Sequence, residues 1–233
     1  MESLDVKWIR SQFPALAQTI NKKPAIFFDG PGGTQVPGGV LDAISDYLVR
    51  SNANVHGTFA TSLRTDALII SARAAIADFL GCDNDEIVFG ANMTTLTFSV
   101  SRAIGRELQA GDEIIVTDLD HAGNISPWYA LAEKGIIIRA VDINISDCTL
   151  DWHDLEKKIN SRTKLVAVTY ASNAVGTIND ISKIVKIAHN VGALVYVDAV
   201  HYAPHGPINV HHLDCDFLAC SAYKFFAPHV GIV

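Results

Sequence analysis

The chain has 233 residues, of which 49% are hydrophobic and 18% charged, and its net charge is −7. This composition describes a folded globular protein able to bury a sizeable core, and it excludes an intrinsically disordered chain. With acids in excess and no dense Lys/Arg block, neither nucleic acid nor an anionic membrane is an expected partner.

The amino terminus, Met1-Glu-Ser-Leu-Asp-Val-Lys-Trp8, carries acids where a signal peptide has a basic flank. A short amphipathic helix is expected near Asp5–Phe13, then a strand over Ala25–Asp29 and the Gly/Pro-rich loop Gly30–Gly33. Helical patterns cover Gly38–Arg50 and Ser62–Leu80, the second running into Gly81 as its C-cap. Beyond it, apolar strands at Glu86–Phe89, Glu113–Thr117, Ile136–Val141, Lys164–Thr169, Ala193–Val197 and Asp216–Cys220 alternate with helices. The helices are expected near Thr94–Leu108, Pro127–Lys134, Asp154–Ile159 and Ile181–Asn190, and a last strand at Gly231–Val233. This alternation predicts an α/β fold with a parallel sheet covered on both faces. No apolar run is long enough to span a bilayer. The organisation reads as an N-terminal helical segment, 1–25, and one domain over 26–233. Because the chain stops on an apolar strand, it is expected to be the amino-terminal part of something longer. Cys82, Cys148, Cys215 and Cys220 lack CxxC spacing and sit mostly in apolar stretches, so reduced thiols in a cytoplasmic protein are expected.

In an open parallel sheet, ligands bind at the carboxyl ends of the strands. The residues that follow each strand therefore carry the functional reading. They are Gly90-Ala-Asn-Met-Thr-Thr95, Asp118-Leu-Asp-His-Ala-Gly-Asn124, Tyr170-Ala-Ser-Asn-Ala-Val-Gly176, Asp198-Ala-Val-His201 and Ser221-Ala-Tyr-Lys224. An anion cradle, an imidazole, an amide, an acid and an amine thus collect on one edge. That inventory suits a phosphorylated heteroaromatic cofactor, pyridoxal 5'-phosphate (PLP). Helix-start amides at Met93 and Thr94, with the Thr94 hydroxyl, can hold a phosphate dianion. Ser221 and Tyr223 can add donors. Asp198 can keep the pyridine nitrogen protonated. His121 can stack on the ring and pass protons, while Asn173 and His201 can bond the ring hydroxyl. Lys224 can form the Schiff base and act as the base at the substrate α-carbon.

Two other chemistries fit the sequence poorly. A metal site from His201, His205, His211, His212 and Cys215 lacks the spacing of a helical zinc motif. A nicotinamide site lacks Gly-x-Gly-x-x-Gly after the first strand.

In their order, these motifs resemble those of the class V aminotransferases of PLP fold type I, and most closely their cysteine desulfurase-like branch, which includes selenocysteine lyases. Phe27-Phe-Asp-Gly-Pro-Gly-Gly-Thr-Gln-Val-Pro37 resembles the family's opening segment, and Asn52-Ala-Asn-Val-His56 its segment before the long helix. Asp120-His-Ala-Gly-Asn-Ile-Ser-Pro-Trp128 is similar to its His-x-x-Asn-x-x-Pro-Trp signature. Ser172–Thr177, Val197–His201 and Ser221–Lys224 complete the set. The resemblance implies a mostly parallel seven-stranded large domain without the C-terminal small domain. It also implies a homodimer, a small amino-acid substrate and a sulfur-acceptor protein as partner. Catalytic roles carry over to Lys224 and His121. Cofactor-binding roles carry over to Met93, Thr94, His121, Asn173, Asp198, His201, Ser221, Tyr223 and Lys224, and substrate-side positions to His56 and Asn124. The reaction implied is PLP-dependent chemistry on an amino acid, such as L-cysteine to L-alanine with sulfur transfer. The alternatives are another class V lyase, epimerase or aminotransferase, or a catalytically silent PLP-binding fragment or interaction module.

The sequence departs from the family pattern at several positions. His201 stands for the usual glutamine, Tyr223 for histidine, Ala227 for glycine and Gly57 for arginine. Met93 and Thr95 replace the common Thr and Glu. The nucleophilic cysteine and the carboxylate-binding arginine of desulfurases fall beyond Val233.

Overall fold

The structure is a computed structural model that describes residues 4–233. Met1–Ser3, the start of the expected N-terminal helical segment, lie outside the described residues. Helix α1 (Val6–Ser11) begins at Asp5, whose carboxylate accepts from the Trp8 amide. The expected strand at Ala25–Asp29 does not form. The segment has no strand beside it to pair with, and it leaves Ile26 and Phe28 facing solvent, Phe28 at 94%. Helices α2 (Gly38–Arg50) and α3 (Ala60–Leu80) follow, and α3 ends on Gly81 in the left-handed conformation.

Seven strands form the main sheet: β1 (Phe89–Gly90), β2 (Glu113–Thr117), β3 (Ile137–Val141), β4 (Thr163–Thr169), β5 (Leu194–Asp198), β6 (Phe217–Ser221) and β7 (Gly231–Ile232). Their spatial order is β1-β7-β6-β5-β4-β2-β3. The contacts joining β6, β5, β4, β2 and β3 are parallel, and β7 is antiparallel to both β6 and β1. The sheet is therefore mostly parallel, as the alternation of elements predicts. Between them lie α4 (Met93–Ile104), α5 (Ser126–Tyr129), α6 (Trp152–Lys158), α7 (Ile181–His189) and α8 (Val210–Leu213).

The period of two along each strand divides the core. Ile115, Val166, Val168, Val195 and Val197 point to the face covered by the end of α3 and by α6 and α7, against Ala77, Leu80, Leu155, Ile181 and Ile184. Ile114, Val116, Leu165, Ala167 and Tyr196 point to the other face, against Met93 of α4, Trp128 of α5 and Leu131. On that side Trp128 meets Tyr196 edge to face at 5.3 Å, and the Tyr196 hydroxyl bonds Thr97 Oγ1 at 2.8 Å. Asn92 starts α4 by accepting the Thr95 amide on its side chain, as Asp151 and Asp180 do for α6 and α7.

Two features position the site. The chain order reverses between β4 and β2, so the loops after them diverge and leave a crevice at the carboxyl ends of the strands. Strand β7 can lie against the start of α4 only because residue 231 is glycine. A Cβ there would come within 2.3 Å of the Asn92 carbonyl carbon.

Candidate active site

The crevice is a cavity of about 630 Å³. Nine of the residues named from the sequence line it: Met93, Thr94, His121, Asn173, Asp198, His201, Ser221, Tyr223 and Lys224. Asp198 is the last residue of β5, and Lys224 lies three residues beyond β6, the parallel neighbour of β5 in which Ala219 pairs with Asp198. The acid and the amine thus open into one cleft, and both are buried, at 4% and 6% exposure. Burial pushes the Asp198 carboxyl up to about 6, against the Val200 amide, which donates to Oδ1 at 2.9 Å, and against the charge of Lys224. At neutral pH it is an anion with one protein hydrogen bond and an oxygen left to accept another.

Lys224 is held against the loop that carries Pro31. Its ammonium donates to the Pro31 carbonyl and lies 4.7 Å from the Tyr223 ring centre. The loop around Pro31 is braced in turn, because Thr34 donates its amide and its hydroxyl to the Tyr223 carbonyl, both at 2.9 Å. The Phe226 amide returns a bond to Thr34 Oγ1.

At the start of α4, the free donors differ from the set the sequence pattern implies. The Met93 amide donates to Ser221 Oγ at 3.0 Å, and the Thr95 amide to Asn92, so both are already engaged. Thr94 and Ser221 line the cavity, and the Thr94 amide and hydroxyl and the Ser221 hydroxyl hydrogen are left to donate to a bound group. Gly123 makes room for the Thr94 hydroxyl, since a Cβ there would lie 2.7 Å from Thr94 Oγ1 and 3.0 Å from His121 Nδ1.

His121 Nδ1 accepts from the Gly123 amide at 2.9 Å, which leaves the ring proton of the neutral imidazole on Nε2. Burial, and then the nearby Lys224 ammonium and the neighbouring imidazoles of His205 and His121, lower the pKa of His201. Its Nε2 is buried and has no hydrogen-bond partner among the described residues. A bound group with a polar oxygen would satisfy that atom.

The two substrate-side positions sit elsewhere. His56 is on the surface, its side chain 87% exposed, and both its amide and its ring approach Asp66. Asn124 is fully buried, and its Nδ2 donates to Asp120 Oδ1 at 2.7 Å. Neither lines the cavity. Sequence reasoning missed Asn92, Thr169, Ala171, Val200 and His229, which also line it. The His229 ring stacks on Tyr223 at 4.1 Å, and the Pro-His step five residues after Lys224 was the available signal. No cysteine lines the cavity. Burial drives the Cys215 and Cys220 thiols up to about 12 and raises that of Cys82.

Comparison with known proteins identifies the family. The family model described as Aminotransferase class-V matches residues 26–233. The aminotransferase-like protein FGM3 of Gibberella zeae is 38% identical over 99% of this chain and 58% of its own length. A cysteine desulfurase of Dickeya dadantii is 34% identical over 100% of this chain and 58% of its own. Among solved structures, the apo cysteine desulfurase of Thermococcus onnurineus NA1 superposes with a TM-score of 0.90 at 33% identity. That match covers 100% of this chain and 57% of the other. The cysteine desulfurase CsdA of Escherichia coli gives 0.83 at 28% identity, over 99% and 58%. The chain thus spans a little over half the length of these relatives.

Proposed function

The chain belongs to the class-V aminotransferase family, and from that premise we propose that it binds PLP in the β5–β6 crevice and acts on an amino acid in the manner of the cysteine desulfurase-like branch. The observation that carries this reading is the opening of Asp198 and Lys224, from neighbouring parallel strands, into one cavity. Residues 26–233 are the cofactor-binding domain in this reading.

The residues present suit the group. Thr94 and Ser221 offer neutral donors at a helix start for a phosphate, and Tyr223 adds a phenol. Asp198 offers an anion with a free acceptor for a protonated ring nitrogen. The unpartnered His201 Nε2, with Asn173 beside it on the cavity wall, suits the ring oxygen. Bound there, PLP would supply an electron sink for the carbon that carries the substrate amine.

The protein's own part is to orient and to move protons. The Lys224 amine anchors the cofactor. Once free, it takes the proton from the substrate α-carbon and can return it there. Its bond to the Pro31 carbonyl shows that the amine has a resting acceptor on the cavity wall. His121 presents its ring to the cofactor with the proton on Nε2. Buried surroundings exclude water from Asp198 and so strengthen its hold on a charged partner.

Sulfur transfer needs a reactive thiolate near the substrate, which the four cysteines described above do not provide. The step these residues can carry is proposed as α-carbon deprotonation of an amino acid, with L-cysteine as the first substrate to assay and a thiol acceptor as partner. A homodimer fits the exposed apolar side chains of α2 and α3, among them Leu48, Val49, Leu63 and Ile70. Titration of the purified protein with PLP tests the reading. A cofactor absorbance band should develop in the wild type and be absent in Lys224→Ala. Alanine formation from cysteine, with sulfide released when an added dithiol reduces the transferred sulfur, then separates catalysis from binding alone.

A further inference from the structure

Behind His121 lies a second buried carboxylate that the reading above leaves without a role. Asp120 immediately precedes His121, at the end of the β2 loop. Its Oδ2 accepts from the Thr117 hydroxyl at 2.5 Å and its Oδ1 from Asn124 Nδ2 at 2.7 Å. Thr117 is the last residue of β2 and is 1% exposed, so one end of this bond is fixed to the sheet. Asn124, fully buried, closes the same four-residue turn whose Gly123 amide sets the His121 tautomer. The backbone of that turn is held by short-range bonds: the Asp120 amide on the Thr117 carbonyl, the Asn124 amide on the His121 carbonyl, the Ile125 amide on the Ala122 carbonyl, and the Gly123 amide on His121 Nδ1.

From this arrangement we infer that Asp120 is the positioning residue for His121. Its carboxyl clamps the turn between Thr117 and Asn124 and so aims the imidazole into the cavity. The Asn of the His-x-x-Asn pattern is then one jaw of a clamp rather than a substrate-side group. The inference rests on the reading of His121 as the group that faces the cofactor.

The groups that face Asp120 are few. Thr117 faces it from β2, the Thr169 backbone amide from β4, Asn124 and His121 from its own turn, and Asp198 from β5. Burial raises the Asp120 carboxyl to about 7, partly offset by the bonds from Thr117, Asn124 and Thr169, with the Asp198 charge pushing it up further. The Asp198 charge disfavours the Asp120 anion. Cofactor binding, which favours the Asp198 anion, therefore favours the proton on Asp120.

The test compares Asp120→Ala, Asp120→Asn and the isosteric Thr117→Val, and it has two readouts. In the cofactor-free protein, ring-nitrogen NMR of His121 should report the Nε2–H tautomer in the wild type and in Asp120→Asn, which keeps an acceptor for Asn124 and a partner for Thr117. Averaged tautomers are expected in Asp120→Ala, with Thr117→Val between the two. PLP affinity should fall about tenfold in Asp120→Ala and stay within about twofold in Asp120→Asn. The wild type, but not Asp120→Asn, should lose affinity as pH rises through about 7. An unchanged His121 tautomer in both Asp120→Ala and Thr117→Val overturns the inference, as does Asp120→Asn behaving like Asp120→Ala. If Asp120→Ala fails to fold, Thr117→Val decides alone. A wild type that binds no PLP overturns the proposed function instead, and the NMR comparison still judges the clamp.

Discussion

The Met93 amide donates to Ser221 Oγ at 3.0 Å across 128 residues of sequence. The bond ties the start of α4 to the end of β6, three residues before Lys224. The helix start proposed to hold the phosphate and the segment that carries the amine are thereby linked directly. Helix-start amides are ordinarily satisfied by a local cap, and here a distant strand does the work.

Ser221→Ala should therefore weaken PLP binding about tenfold, because it removes a cradle donor and frees the α4 start. Stability should fall by only about 1 kcal/mol. Equilibrium dialysis and urea denaturation measure the two effects separately.

Gly123→Ala places a methyl group against both Thr94 Oγ1 and His121 Nδ1. Thr94 can rotate away at small cost, so folding should lose roughly 1–2 kcal/mol while the cradle donor is misaimed. The expected signature is a cofactor Kd raised well beyond what the shift in Tm implies.

Gly231→Ala should be far more damaging to the fold. Its Cβ meets the Asn92 backbone, which cannot rotate aside, so β7 must separate from the α4 start. A loss of roughly 3 kcal/mol, at the upper end for overpacking, is expected in chemical denaturation.

At the amino end of the parallel strands, Glu113 is fully buried and bonded by Arg139, Asn160 and Arg162. The hydrogen bond from Arg139 is the largest influence on its carboxyl; burial opposes it, the bonds from Asn160 and Arg162 reinforce it, and the pKa falls to about 2. Because the folded value lies below the unfolded one, this contribution to stability is present in full above about pH 4.5. It is lost as pH falls toward 2. Glu113→Gln should cost about 2 kcal/mol at pH 7, since both arginines are partly solvated, and the difference from wild type should shrink toward pH 2. Denaturation curves across that range check the sign.

Much of the sheet was legible because β2, β4, β5 and β6 are apolar on both faces, and their expected and observed limits agree within one or two residues. The short elements were not. Glu86 was expected to open β1, yet it closes a capping box with Asp83 that turns the chain first. Ala25–Asp29 has the apolar content of a strand but no strand beside it. The hairpins Thr19–Ile20/Lys23–Pro24 and Ile143–Asn144/Thr149–Leu150, each of two paired residues, carry too few residues to show a period.

In the site, the residues at the strand ends could be read because the parallel topology dictates where those ends converge. Their partners could not. That the Met93 amide is engaged by Ser221, that Asn124 turns inward to Asp120, and that His56 faces Asp66 all depend on contacts between distant elements or on rotamers. Residue type and spacing do not encode either.

The central claim is that Lys224 is the amine that takes the cofactor, and covalent mapping tests it most directly. The protein is incubated with PLP, reduced with borohydride, digested and analysed by mass spectrometry. The account predicts stoichiometric modification of Lys224, with adduct formation depressed in Asp198→Ala. Modification spread over surface lysines such as Lys157 and Lys186, or unchanged uptake in Lys224→Ala, would contradict it.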